Sequence, residues 1–537
     1  MFTQIVDPLH NLGLTALVAL VPLALLLALL AGYRMSAWLA TLIASVVTFL
    51  LAVWIWGMPT RDGALAYLYG AATGIWAVDW ITLWGVMIFN TLQVTGDFER
   101  FRRWLLAHAT ADVRVQAILL AWAFGALLEG LVGFGYPWAV VAPILIASGI
   151  PDLDALRVAA IANNAPVSYG ALGVPIIALA AVTGIPLMAL SASVGRIVAV
   201  LALLPPWILI YLVTGSRGLR GGWPLAIVGS LSYIAGQFPV SQWLGPYLPD
   251  IAGAIVSFAA VFMLLRFWRP SPMMGYGGRV VEQEQATANP AQEHGLSGAE
   301  VFRAWLPFIV LIVVVVLWTG PWSPLTRETI FSVKVTAMSP VTNKPVAAAF
   351  MFNPFISGTA ILVSWVVILL FVRPTASQLG EVVRRTFHQM WGALLVGAFI
   401  FGLAFTFNFS GMATSLAYAF SRLGTGYLIV APLLGWIGVA LSGSNTSTNA
   451  MFGYFQVLVG SLLHFPNLLL PSLNSVGAEI GKPIAPQTAS VGVSTSRFVR
   501  NEGEVIRHNM GWTFVLLGYL ILIALLFYFV LPQAMST

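Results

Sequence analysis

Long apolar runs recur along the chain, separated by short polar or basic segments. The first run, LTALVALVPLALLLALLAG (14–32), has no basic segment before it and no small-residue cleavage site after it, so it indicates a retained helix rather than a signal peptide. Because a helix needs about 20 apolar residues to cross a bilayer, the pattern predicts about 12 to 14 transmembrane helices. The predicted fold class is an all-α polytopic membrane protein.

Arginines orient the predicted helices. They cluster in four segments, residues 100–114, 266–303, 373–385 and 497–507. Basic residues are enriched in cytoplasmic loops, so these four segments are predicted to be cytoplasmic. Counting helices between them places the 321–352 loop and both termini on the outer face.

One segment divides the chain. PSPMMGYGGRVVEQEQATANPAQEHGLSG (270–298) is polar, contains Pro and Gly, and lacks helical periodicity. It predicts a flexible cytoplasmic linker over 269–303. The transmembrane halves would then be 1–268 and 304–537.

Small and polar residues interrupt the apolar pattern twice in each half. The first half contains EGLVGFGYPWAVVAP (129–143) and ANNAPVSYGALGVP (162–175); the second contains SGSNTSTNAMFGYF (442–455) and GKPIAPQTASVGVS (481–494). Non-helical backbone is tolerated in a membrane only where it is buried in protein or lines a cavity. Matched interruptions in two halves therefore predict a secondary transporter with two inverted-type repeats. Each repeat would contain a reentrant hairpin and a broken helix, over 127–176 and 441–494.

The amino-acid composition limits the classes of function that we expect for this chain. Of the 537 residues, 59% are hydrophobic and 8% are charged, so the bilayer is the expected partner. The net charge of +6 fits cytoplasmic loops and indicates no nucleic-acid partner. The chain has no Cys, no His cluster with metal-ligand spacing and no phosphate loop, so we expect no metal, no cofactor and no enzyme activity.

Ordered motifs along the whole chain resemble the L-lactate permease family, whose members carry lactate and glycolate. The resembling segments are TGDF (95–98), LLEGLVGFGYPWAV (127–140), NNAPVSYGALGVPI (163–176), WLPF (305–308), FSGMATSLA (409–417), GSNTSTNAMFG (443–453) and GKPIAPQ (481–487). The resemblance implies proton symport of a small 2-hydroxy monocarboxylate across the bacterial cytoplasmic (inner) membrane. It also implies kinship with a superfamily of carriers that use helical hairpins and an elevator-like motion.

The chain departs from the family pattern at four positions. Tyr136 and Trp138 stand where small or aliphatic residues are usual, Asn445 where Asp is common, and Asn164 where Thr is usual. Bulky aromatics would change the volume of a site, and the amide at 445 removes one candidate proton carrier. The triplet SNT (444–446) is similar to a hairpin tip in sodium-coupled carriers, so sodium stays open as the coupling ion.

Four ionisable residues interrupt apolar segments, where such residues are expensive and usually functional. Glu129 is the preferred proton-coupling residue, with pinning of the reentrant loop as its structural alternative. Asp79 is a second coupling candidate that could instead lie among interfacial tryptophans. Lys482 could bind a substrate carboxylate, cap a helix or extend to the surface, and Glu479 is a candidate partner for it.

Neutral polar groups complete the predicted site. A 2-hydroxy acid needs donors for its carboxylate and a donor–acceptor pair for its hydroxyl, which Ser, Thr, Asn and Gln supply. The predicted substrate-binding residues are Gly133, Phe134, Gly135, Tyr136, Asn163, Asn164, Ser444, Asn445, Thr446, Ser447, Lys482 and Gln487.

Three functions remain open from the sequence. They are a proton-coupled carrier of L-lactate, D-lactate or glycolate, a sodium-coupled carrier of another organic anion, and an anion channel or non-transporting receptor. The sequence is also compatible with a homo-oligomer.

Overall fold

The computed structural model describes residues 2–108, 110–133, 135–281, 297–325, 329–341, 343, 345–493, 496 and 501–536. Predicted features at Phe134, 282–296, Arg497 and Arg500 therefore lie outside the described residues. The described chain is mostly helical, which confirms the prediction of an all-α membrane protein.

Thirteen α-helices precede the linker. They are α1 Leu12–Leu27, α2 Ala37–Trp54, α3 Thr60–Thr73, α4 Trp80–Thr95, α5 Asp97–His108, α6 Val113–Gln116, α7 Phe124–Leu131, α8 Tyr136–Ala147, α9 Asp152–Ala162, α10 Gly170–Thr183, α11 Leu187–Leu201, α12 Pro205–Trp243 and α13 Pro249–Phe267. Short π-helical segments extend α1 and join α3 to α4 and α6 to α7.

Nine α-helices follow the linker in the described part of the chain. They are α14 Gly298–Thr319, α15 Ser357–Val372, α16 Ala376–Ser410, α17 Met412–Ser421, α18 Tyr427–Ser442, α19 Asn445–Leu462, α20 Leu469–Gly481, α21 Pro486–Val493 and α22 Glu502–Phe529.

Ten helical segments of the described chain are long and apolar enough to cross a membrane. The number is eleven if the pair Asp152–Ala162 and Val167–Thr183, bent by 67°, is one span. Two features explain why this count is below the 12 to 14 helices expected. Hairpin arms such as α8 are shorter than a full span, and Leu187–Trp243, counted as one segment, contains both α11 and α12.

The two predicted hairpins enter from opposite faces. The first hairpin has its tip between α7 and α8. Its base lies beside the linker, where the Val113 N–H donates to Met274 O at 3.0 Å. The hairpin formed by α18 and α19 ends beside the C-terminus, where the Leu468 N–H donates to Met535 O at 3.0 Å. Because α22 runs from the linker face to the C-terminal segment, these two ends lie on opposite sides of the molecule. Opposite starting faces are what two inverted-type repeats would have, and the repeats themselves stay a prediction.

A small sheet covers the face opposite the linker. β1 (Phe2–Thr3) pairs in parallel with β2 (Phe331–Met338), and β2 pairs antiparallel with β3 (Pro345–Phe352). The apolar pattern predicts only a loop here, although FSVKVTAM alternates in the way a half-buried strand does. The Gln4 side chain anchors the sheet by donating from Nε2 to Asn408 O at 2.8 Å.

The helices pack as two groups. In the first, α16 packs along α2, α3 and α4, and α14 packs on α15. In the second, α12 packs on α13, and α18, α19 and α20 pack on one another beside α10. We call these the α16 group and the α20 group. Both hairpins and both broken helices belong to the α20 group.

The described beginning of the linker packs against helix ends. The Tyr276 hydroxyl donates to Asp154 Oδ2 at 2.6 Å, and burial together with that carboxylate raises the pKa of Tyr276 to about 12. The Arg114 guanidinium donates to Pro272 O at 2.7 Å. Residues 270–281 are thereby held on the face where α9 begins, while the division of the chain into halves at this linker stays a prediction.

Candidate functional site

All four sequence interruptions meet inside the α20 group. The Lys482 ammonium, just after α20, lies 2.5 Å from Glu129 Oε1 in α7. The Ser168 N–H, between α9 and α10, donates to Glu479 Oε1 at 2.8 Å. The Asn445 side chain, at the tip of the second hairpin, donates to Ser168 Oγ at 3.4 Å. Residues from both halves therefore build one buried polar site.

Glu129 and Lys482 form a buried ion pair at the centre of this site. Their side chains are 2% and 8% exposed. The second carboxylate oxygen of Glu129 accepts from Asn163 Nδ2 at 3.0 Å, so both oxygens have partners. The predicted alternative, a Lys482–Glu479 pair, is not what the structure contains, because the ammonium faces Glu129 across the site.

Gly170 leaves the space that this ion pair occupies. An ideal Cβ at Gly170 would lie 2.5 Å from Glu129 Oε1. Next to it, Ala171 and Leu172 have φ angles of 48° and 60°, a left-handed conformation that costs roughly 1–3 kcal/mol per non-glycine residue. Such strain persists only where the surrounding structure enforces it, which is common at functional sites.

We expect Gly170→Ala to displace the Glu129 carboxylate from Lys482. The added methyl group should lower the free energy of unfolding by about 1–3 kcal/mol, the usual cost of overpacking, and should weaken ligand binding at this site. Thermal unfolding of the purified protein measures the first effect. Gly125→Ala, in α7 with no atom within 4 Å of the new Cβ, is the matched control. Equal melting temperatures for the two variants would contradict this account.

The tip of the second hairpin presents a helix N-terminus. Gly443 ends α18 with a φ of 74°, and Ser444 caps α19 by accepting the Ser447 N–H at 3.2 Å. The first backbone N–H groups of α19, at Asn445 and Thr446, have no acceptor within the helix. A helix N-terminus carries partial positive charge and favours anions.

Two cavities meet this tip. A small one, about 50 Å³, is lined by Glu129, Gly133, Lys482 and the tip residues Gly443–Thr446. A larger one, about 410 Å³, lies between the α20 and α16 groups. The larger cavity is lined by Ser444, Thr446, Ser447 and Gln487 from the α20 group and by Asp79, Thr82 and Met390 from the α16 group.

Asp79 lies on the opposite wall of the larger cavity from the hairpin tip. It ends the π-helical segment Gly74–Asp79 and is buried, and its Oδ2 has no hydrogen-bond partner among the described residues. Its carboxylate fits because Gly397 has no side chain. The structure thus separates the two coupling candidates, with Glu129 in the α20 group and Asp79 in the α16 group.

A third cavity, about 580 Å³, lies on the opposite face between the same two groups. β3, the turn from α10 to α11 and Tyr454 contribute to its lining. The interface between the α16 and α20 groups is therefore open at both ends and packed between them.

A chain of buried amides and hydroxyls supports the hairpin tip, and most of its members are not among the predicted site residues. Asn449 donates to Pro175 O at 3.0 Å and to Ser475 Oγ at 3.1 Å. Ser475 also contacts Ser168 Oγ at 2.8 Å, and Asn474 donates to Asn449 Oδ1 at 3.0 Å. Polar residues recurring at 474, 475 and 479 within apolar sequence were the available signal.

The structure places the remaining predicted residues in three settings. Tyr136 packs its ring on Phe89 of α4, with centroids 4.9 Å apart, at the boundary with the α16 group. Gly135 faces Thr488 and Val491 of α21. Asn164 is fully buried, and neither end of its amide has a partner among the described residues. Their roles in substrate binding stay predictions.

Comparisons with known proteins agree with this architecture. A family model described as L-lactate permease matches residues 15–532. Glycolate permease GlcA of Escherichia coli (strain K12) is 32% identical over 98% of each chain, and an L-lactate permease of Bacillus subtilis (strain 168) is 32% identical over 96% of each. The solved YdaH transporter of Alcanivorax borkumensis is similar in fold alone, with a TM-score of 0.50 and 14% identity over 93% of this chain and 100% of that one.

Proposed function

Because the chain belongs to the L-lactate permease family, we propose that this multi-pass membrane protein carries a small 2-hydroxy monocarboxylate together with a proton. L-Lactate, D-lactate and glycolate are the candidate substrates, and the bacterial cytoplasmic membrane is the proposed location. The relatives named glycolate permease and L-lactate permease support this class of substrate.

The proposed binding site uses the ion pair and the hairpin tip together. The substrate carboxylate would lie between the Lys482 ammonium and the N-terminus of α19, which supply one full and one partial positive charge. The side chains of Ser444, Thr446 and Gln487 line the adjoining 410 Å³ cavity and can donate to and accept from a 2-hydroxyl group. That volume is typical of small-molecule sites.

The Glu129–Lys482 ion pair is the main observation that supports coupling to a proton. Without substrate, the carboxylate and the ammonium cancel, so the buried site is neutral. A substrate anion bound to the intact pair would give a buried net charge of −1, which is strongly unfavourable. If Glu129 takes up a proton, its charge is removed, Lys482 is released, and the anion restores neutrality. One proton per monocarboxylate therefore gives a neutral site both empty and loaded.

The two groups of helices suggest how the loaded site changes access. Both hairpins lie in the α20 group, and the hairpin tip is tied to α10 and α20 by the buried amides. We propose that the α20 group moves as a unit against the α16 group, with the cavities at the two ends of their interface serving the two faces. A neutral site moves through this apolar interface at the lowest electrostatic cost.

Uptake by proteoliposomes tests the proposed function. Labelled lactate and glycolate would be offered under an imposed pH gradient, a sodium gradient, or neither. We expect accumulation above the external concentration only with the pH gradient, acid outside. Accumulation driven only by sodium would identify the sodium-coupled alternative, and equilibration without accumulation under any gradient would identify a channel.

A further inference from the structure

Glu479 is a buried acid that the proposed coupling step does not use. It lies in α20 with no exposed surface. Its Oε1 accepts the Ser168 N–H at 2.8 Å, and its Oε2 has no hydrogen-bond partner among the described residues. The nearest base in sequence, Lys482, contacts Glu129 instead.

Carboxyl groups outnumber bases around Glu479. Among the described residues, the buried bases are Arg114 and Lys482, and Arg114 pairs with Asp112 on the linker face. At the site, one ammonium therefore faces the carboxyl groups of Glu129, Glu479 and Asp250. Lys482 can balance one of these carboxylates. A buried carboxylate without a cation is unfavourable enough that the group takes up a proton instead.

The surrounding titratable groups do not supply a substitute cation. Those that act on Glu479 or lie on the elements packed on α20 include Lys482, Glu129, Asp250, Tyr169, Tyr233, Tyr427, Tyr454 and Arg196, together with Glu502, Glu504, Arg507, His508, Tyr519 and Tyr528 of α22. On α22, Arg507 is exposed and His508 contacts Asp154 Oδ1 at 3.0 Å, away from Glu479. The phenols of Tyr169, Tyr233 and Tyr427 donate to Ser191 O, Asp250 Oδ1 and Gln456 Oε1. Arg196 Nε donates to Gln242.

A metal ion is a poorer fit than a proton. Glu479 is absent from the lining of both cavities that reach the hairpin tip. A proton needs no cavity, and it also provides a donor that the cluster lacks. Asn445 is 4% exposed, and its Nδ2 donates to Ser168 Oγ. Its Oδ1 accepts from no donor among the described groups.

We propose that Glu479 is protonated in the working protein and thereby reserves Lys482 for Glu129 and the substrate. An ionised Glu479, one helical turn before Lys482, would compete for the ammonium. The substrate carboxylate would then meet a lysine already neutralised even after Glu129 had been protonated. Glu479 is thus a positioning residue for Lys482, and this inference rests on the proposed role of Lys482 in binding the substrate.

Infrared spectroscopy of the purified protein near neutral pH tests the protonation directly. Wild type should show the carbonyl band of a buried carboxylic acid, and Glu479→Gln should lose one such band. Glu381, which is partly exposed and paired with two arginines, gives the control, since Glu381→Gln should leave the band unchanged. An identical acid band in wild type and Glu479→Gln would overturn the proposal.

Substrate binding gives a second readout. Because Gln imitates a protonated Glu, we expect the Kd of Glu479→Gln for lactate to stay within about threefold of wild type, less than the tenfold that 1.4 kcal/mol would give. A tenfold or larger loss in a folded variant would overturn the proposal. If Glu479→Gln does not fold, Glu479→Met replaces it, and failure of both neutral variants to fold would show that the charge is required. If the wild-type protein itself does not bind lactate, the proposed function is contradicted instead.

Discussion

Glu129→Gln is expected to abolish proton-driven accumulation while leaving counterflow exchange of substrate largely intact. The amide imitates protonated Glu129, so Lys482 stays released and the substrate anion still binds and neutralises it. The empty carrier then has a buried net charge of +1, because no carboxylate balances the ammonium, and its return through the apolar interface becomes slow. Exchange avoids that empty step, whereas net uptake requires it.

Parallel uptake and counterflow measurements in proteoliposomes check this expectation. Glu381→Gln makes the same substitution at a partly exposed glutamate outside the site and should behave as wild type. Accumulation by Glu129→Gln at the wild-type level would remove Glu129 from the coupling step. Loss of both activities together with a lowered melting temperature would assign it the structural role of holding the reentrant loop.

Lys482→Met is expected to raise the Kd for the substrate by roughly 30-fold or more, since removing one member of a buried charge pair costs about 2–5 kcal/mol. Two effects contribute. The substrate carboxylate loses its full positive charge, and Glu129 is left without a cation. Glu129 then takes up a proton, or the protein loses stability.

Ligand-induced thermal stabilisation measures this loss, with Lys334→Met as the control. Lys334 lies in β2 and is exposed, so the same substitution there should change neither binding nor melting temperature. The double variant Glu129→Gln/Lys482→Met carries no unpaired charge, so it should recover stability without recovering binding. Wild-type affinity in Lys482→Met would contradict the proposed site.

The positions of the breaks were predictable from the sequence, whereas their contacts were not. Gly133 and Gly443 interrupt apolar runs, and such interruptions must line a cavity or be buried in a membrane protein. Nothing local, however, indicates that Lys482 meets Glu129 rather than Glu479. The two partners are 353 positions apart, and only the inverted packing of the hairpins brings them together.

The neighbours that the aromatic side chains contact could not be predicted from the sequence either. Tyr136 follows the glycines of the first hairpin, so the motif suggested a side chain in the site, yet its ring packs on Phe89. Each residue along α8 turns the side-chain direction by about 100°, so a shift of one or two positions decides which helix group such a residue faces. Local pattern does not determine that shift. Trp138, which follows it, lies against Gly492 of α21.

The three-stranded sheet has a consequence for biosynthesis. Gln4 bonds to Asn408, 404 positions later, and β1 pairs with a strand of the second half. At roughly 5–20 residues per second, the ribosome needs about 20–80 s to synthesise that intervening chain. The first residues made are therefore among the last to find their partners. The N-terminal segment stays unpaired on its side of the membrane until α16 has been inserted. Its docking is therefore the last step in the assembly of the α16 group.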